Sequence, residues 1–113
     1  MNLEQLLEQC GFLPKYQGFC ALHECILVAL EEKDNILYLT GIYQTVAKKL
    51  NISRISVERN IRTGIQYSWN HGGKEELEKI AGRTLHKKPC IGDLIDMFVF
   101  YIEMHPDQIS LQV

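Results

Sequence analysis

The stretch that most constrains this chain runs from Ile42 to Gly72, IYQTVAKKLNISRISVERNIRTGIQYSWNHG, because its apolar residues recur at helical spacing on both sides of a short polar interruption. Val46, Ala47 and Leu50 lie at i, i+1 and i+4 and give one apolar face to a helix over Tyr43 to Leu50. Asn51 suits the end of that helix, since asparagine tolerates left-handed backbone geometry. Ile52 plugs the turn, Ser53 offers its hydroxyl as the next N-cap, and Ser56 is an alternative start. A second helix over Arg54 to Asn70 then places Val57, Ile61, Ile65 and Trp69 at steps of four as a buried stripe, with Ser68 one step before Trp69. Two short helices joined by a tight turn, over about residues 42 to 71, are the pattern of a helix-turn-helix.

The outward face of the second helix says what such a unit would touch. Arg59 and Arg62 are three apart and stack on one face, away from the apolar stripe, with Glu58 flanking them. A guanidinium pair on an exposed face suits guanine O6 and N7 in a major groove, and Glu58 suits a cytosine amino group. The same residues also fit an ordinary solvated face, because Glu58 and Arg62 stand four apart and pair readily there. Charge partition favours the nucleic-acid reading. Residues 42 to 71 hold Lys48, Lys49, Arg54, Arg59 and Arg62 against Glu58 alone, a net of +4, whereas the whole chain is −2. An acidic protein with one basic face is a poor generic polyanion binder, so affinity must come from orienting that face and from base contacts.

At 113 residues and 46% hydrophobic, the chain has enough for one domain with a real core and too little for two. Cys10, Cys20, Cys25 and Cys90 include no C-x-x-C pair, and the N-terminus does not resemble a signal peptide, which fits reduced thiols in a cytoplasm. Apolar runs such as Cys25 to Leu30 and Met97 to Ile102 fall well short of the roughly 20 residues a membrane helix needs, so a soluble protein is expected.

Helical signals continue on either side of the central unit. Asn2 caps a first helix that ends at Cys10, with Gly11 as its left-handed C-cap. A second helix from about Gly18 to Lys33 carries Phe19, Leu22, Ile26, Leu27 and Leu30 on one side, as a central core helix would, and ends in the polar EEKDN turn. Ile36 to Thr40 is short, apolar and ambiguous between an extended connector and a helical turn. NHGGK reads as a break, Lys74 to Ala81 as a short helix closed by Gly82, and RTLHKKP as a loop. Ile91 to Met104 forms the last helix, with Leu94, Ile95, Phe98, Tyr101 and Ile102 on its apolar side and Pro106 as its stop. With no repeat and no strand pair, the fold class is all-α, about six helices around a central helix-turn-helix.

Cys20, His23 and Cys25 cluster within six residues but lack four ligands at metal-binding spacing, so Cys20 is expected to pack as a small hydrophobe and His23 to be partly exposed. His71 and His86 flank glycine-rich or basic loops, where a solvent-facing or phosphate-facing role fits. Trp69 belongs to the core stripe rather than to a stacking platform for bases. Lys87 and Lys88, with Arg83 and Lys79 nearby, read either as a solvated loop or as phosphate contacts beside the second helix, with Lys48 and Lys49 on its other side. Paired carboxylates in an apolar setting, a nucleophile elbow and a phosphate-cradling glycine loop are all missing, so no enzyme, cofactor or metal is expected.

The segments LLEQCGFLPKYQG, Ile42 to Lys49, and V-E-R-x-I-R followed by W-x-x-G (Val57 to Arg62, Trp69, Gly72) resemble the C-terminal effector domain of the sporulation master response regulator of endospore-forming Firmicutes. The resemblance covers roughly residues 3 to 104. It implies an all-helical domain that binds promoter boxes of the TGTCGAA type in double-stranded DNA, activating some genes and repressing others. It also implies base contacts from Glu58, Arg59 and Arg62; from charge and position along the chain, Lys48, Lys49, Ser53, Arg54, Ser56, Lys87 and Lys88 are expected as backbone or flanking contacts, with the choice between Arg54 and Ser56 open. Paired domains on adjacent boxes belong to the same expectation; separately, a full-length regulator or RNA polymerase is a candidate protein partner. Two positions depart from the family. Ile55 and Ser56 stand where a serine-arginine pair is usual, with the arginine displaced to Arg54, and Gln44 stands where proline is common. The chain also leaves no room for the family's phosphoacceptor receiver, so it is expected to be an excised or a stand-alone domain. A stand-alone domain would be controlled through its expression or a partner. A protein-interaction module of the same fold that has lost DNA and pairs with a full-length regulator is the alternative.

Overall fold

The computed structural model describes residues 1–32 and 39–111. Six α-helical segments follow in order: α1 (Leu3–Gln9), α2 (Gln17–Glu31), α3 (Leu39–Leu50), α4 (Arg54–Ser68), α5 (Lys74–Ala81) and α6 (Ile91–Met104). A five-residue turn, Trp69–Gly73, links α4 to α5 and kinks the chain, because His71 and Gly72 leave helical backbone angles there; counted across that kink, the described residues form five helical rods, and counted apart the six expected. Beyond one isolated bridge between Asn2 and Ser110, those residues form no strand.

Local chemistry sets most helix ends. Asn2 closes a capping box on α1, its side chain accepting from the Gln5 amide while Gln5 accepts from the Asn2 amide. Gly11, at φ +89°, turns the chain away after α1. Asn51 takes the left-handed conformation (φ 56°) at the end of α3, and the Ser53 hydroxyl oxygen caps α4 by accepting from the Ser56 amide at 3.0 Å. Gly82 ends α5 in the same left-handed region.

Three boundaries differ from the sequence expectation. The first helix of the central pair already includes Leu39, the first described residue after position 32, and not only Tyr43 onward, because Leu39 and Ile42 pack into the core. Thr40 therefore belongs to a helix, while residues 36–38 of the ambiguous run lie outside the described residues. The second core helix ends at Glu31; Lys33 and the rest of the EEKDN turn after Glu32 also lie outside them. Finally, α4 stops at Ser68 rather than Asn70. NHGGK is the break the sequence predicts: His71 and Gly72 leave helical backbone angles, Gly72 at a φ of +90°, and the chain kinks before α5.

The core gathers around α2, whose Ala21, Leu22, Cys25, Ile26 and Ala29 are fully buried and which touches α1, α3, α4 and α6. Its crossing with α4 is unusually close. A Cβ on Gly18 would overlap the Asn60 carbonyl oxygen, and Gly64 faces Gly18 from the α4 side. Behind the crossing, the buried Ser68 hydroxyl donates to the Cys10 carbonyl, and a Cβ on Gly73 would overlap both groups. These contacts fix the rotation of α4 about its axis, and with it the direction its outward side chains point.

Candidate nucleic-acid interface

α3, the three-residue turn Asn51 to Ser53 and α4 form the helix-turn-helix. Ile52 is half-buried in the turn, and its amide donates to the Ala47 carbonyl at 3.0 Å. Val57, Ile61 and Ile65 are buried as the spacing predicts, but Ser68, not Trp69, completes the stripe. Trp69 is half-buried at the edge of the core, with the Lys74 ammonium 5.6 Å from its ring centre.

Opposite this stripe, Ile55, Arg59, Arg62 and Gln66 follow one another at helical spacing, and all four are exposed. Arg59 makes no ion pair among the described residues. The Arg62 guanidinium donates to Glu58 Oε1 at 2.9 Å along the helix. An exposed pair at this spacing is worth only about 0.3–0.5 kcal/mol, well below the ~1–3 kcal/mol of a bidentate guanine contact. Glu58 therefore orients Arg62 without locking it away from DNA.

Beside Glu58, Arg62 and Gln66 runs a groove of about 470 Å³, whose far wall is Lys88, Pro89, Cys90, Ile91 and Gly92. Buried Tyr43 lies in it. Burial, helped by the Glu58 charge and opposed by Arg62, pushes the Tyr43 phenol up to about 12, so the ring stays neutral beside the ion pair at any working pH. Lys88 thus stands across the groove from the arginine row and also lines a neighbouring hollow, running from Arg83 to Cys90, to which Lys87 belongs.

The flanking residues divide into free and engaged groups. Lys48 and Arg54 are exposed with no ion pair among the described residues. Lys49, in contrast, reaches Glu24 Oε2 on α2 at 2.7 Å, and that carboxylate holds its ammonium above the usual lysine range. Lys79 pairs with Glu76 along α5 at 3.0 Å, and that carboxylate likewise holds its ammonium above the usual lysine range. Ser53 and Ser56 are bonded to each other within the cap, hydroxyl to hydroxyl at 2.9 Å. Their first role is to start α4. His71 stacks on Tyr67 with ring centres 4.0 Å apart, and His86 is exposed.

The Cys20, His23, Cys25 cluster is split by the packing of α2. Cys20 is exposed, against the expectation that it packs as a hydrophobe, because it lies on the solvent side of the helix. Cys25, five residues on, is buried instead. His23 is half-buried between Glu4 and Glu24, 3.7 Å from each. Among the described residues no three His, Cys, Asp or Glu side chains converge as a metal site would require. No helix among them is long and apolar enough to cross a membrane.

Residues 3–102, the whole of this arrangement up to the last turn of α6, match the family model for sporulation initiation factor Spo0A C terminal. The chain belongs to that family. Spo0A C-terminal domains are DNA-binding effector domains of transcription regulation in sporulation, a regulatory and not an enzyme family. The helix-turn-helix, its basic outward face and the all-α frame are thus those of a response-regulator effector. Sequence reasoning missed three features of the Spo0A-type face: Gln66 on the same row as the arginines, Tyr43 behind them, and the capture of Lys49 by Glu24. Gln66 was within reach, since it follows Arg62 by four; the other two depend on contacts between helices.

Proposed function

We propose that this chain is a sequence-specific reader of double-stranded DNA that lays α4 in the major groove of a TGTCGAA-type box. Arg59 and Arg62 would contact guanine edges, and Glu58 would accept from a cytosine amino group while steadying Arg62. Lys48, Arg54 and Lys88 would hold phosphates on either side, with Lys87 further out and Lys49 tethered to Glu24. Ser53 and Ser56 would present α4 and its first turn to the backbone. Such a reader acts in the cytoplasm, where four free thiols are at home, and paired copies on adjacent boxes fit its family. One observation supports this reading above the rest: Arg59 is exposed and unpaired among the described residues at the middle of the outward row, on a helix whose rotation is fixed by the Gly18 and Ser68 contacts.

Fluorescence anisotropy on a TGTCGAA duplex and a scrambled duplex, at two salt concentrations, tests it. The expected result is box-selective binding that weakens as salt rises and that Arg59→Ala reduces by ~1–3 kcal/mol. Equal, weak binding to both duplexes, unchanged in Arg59→Ala, would refute it.

A further inference from the structure

Ile55 is the one large hydrophobic side chain of the described helix-turn-helix that the fold leaves in solvent, 65% exposed on the second residue of α4. Packing does not explain it. Its immediate neighbours Arg54 and Ser56 are polar, and the rest of its row is Arg59, Arg62 and Gln66. The Ser53 cap holds the first turn of α4 in place, so Ile55 is presented on a rigid element. Its Cα lies about 6 Å along the axis from that of Arg59, roughly two base steps away.

The groove of a duplex offers one apolar group to such a side chain, the 5-methyl of thymine, and aliphatic residues meet it there. We propose that Ile55 is a specificity-determining residue that packs on a thymine 5-methyl at the edge of the site, about two base steps from the base pair read by Arg59. This inference rests on the DNA-reading proposal above. It makes the start of α4 select for thymine by shape and desolvation, where a polar side chain would bind phosphate or water.

Replacing each thymine of the TGTCGAA duplex singly by deoxyuridine removes only that methyl and leaves base pairing intact. The parent chain, Ile55→Ser, Ile55→Val and Arg59→Ala are titrated against each duplex by anisotropy, and their melting curves confirm folding. Expected is one position at which loss of the methyl weakens the parent roughly fourfold, the equivalent of one buried methyl. The same position is silent in Ile55→Ser and still sensitive in Ile55→Val. If Arg59→Ala loses the box while parent and Ile55→Ser respond identically to every uracil, Ile55 does not read a methyl and the inference falls while the DNA reading stands. If Arg59→Ala binds like the parent, the DNA reading falls and takes this inference with it.

Discussion

α4 and α6 are almost the same length, fifteen and fourteen residues, and both pack on α2, yet they use their surfaces in opposite ways. α6 buries Ile91, Leu94, Ile95, Met97, Phe98, Val99 and Ile102, so its contribution is apolar area removed from water. α4 buries only Val57, Ile61, Ile65 and Ser68 and gains its seat through glycine contacts that let two backbones approach. A helix that packs on α2 by close backbone approach along one narrow face keeps the rest of its circumference for charged side chains. Stability is thus concentrated on one helix and recognition on the other, and substitutions should separate the two.

Phe98→Ala should show the largest effect. Phe98 is fully buried, and truncating such a ring costs ~3–5 kcal/mol, read as a lower urea midpoint at unchanged slope. Binding per folded molecule should stay as in the parent. A loss of box affinity beyond the unfolded fraction would mean that α6 shapes the reading face and that the separation is wrong. Gly18→Ala is the variant that should join the two helices. Its methyl has no room against the Asn60 carbonyl, so α4 must shift, at ~1–3 kcal/mol of stability. Because the displaced element is the reading helix, box affinity should fall as well. Arg59→Ala should do the reverse of Phe98→Ala, with melting within about 0.5 kcal/mol of the parent and the whole loss in binding.

How much of this was legible before the fold was known follows the same division. The caps at Asn2, Asn51, Ser53 and Gly82 could be read directly, because each depends on a side chain or backbone preference within three residues of its helix. The Val57, Ile61, Ile65 stripe and the exposed Arg59 followed from helical period alone. What sequence did not show was decided between helices. Leu39 joins α3 through core packing, Ser68 displaces Trp69 from the stripe by bonding to Cys10, and Lys49 is drawn to Glu24. Cys20 and Cys25 have the same side chain, and only the face of α2 that the core selects tells them apart. Ile55 was visible as a departure from the family, but its exposure and its place in the row needed the rotation of α4.

The thiols test the stability side of the comparison through pH. Burial, with smaller contributions from Glu76 and Glu24, pushes Cys10 and Cys25 up to about 12 from 9.0. A group whose acid form is favoured by folding stabilises fully below its unfolded value and loses that contribution as pH rises toward the folded one. Unfolding should therefore become easier between pH 9 and 12, by about 1.4 kcal/mol per thiol at one unit above 9. Native-state alkylation should modify exposed Cys20 and Cys90 and spare the other two. Equal labelling of all four at low denaturant would show that the core around α2 opens far more easily than its packing suggests.

The smallest effect separates two adjacent lysines at the end of α3. Lys48 is exposed and unpaired among the described residues, whereas Lys49 is tied to Glu24. If Lys48 meets a phosphate, Lys48→Met lowers the slope of log affinity against log salt by about one and weakens the box and scrambled duplexes alike. Lys49→Met should change that slope less, because its charge is already compensated within the protein. Glu24→Gln then supplies the control: it frees the Lys49 ammonium and should raise the slope, unless Lys49 stays out of reach of the backbone. A fall in slope from Lys49→Met equal to that from Lys48→Met would place both on phosphate and show that DNA pulls Lys49 away from α2. The boundary between the helix that holds the fold and the face that reads would then lie one residue further into the protein.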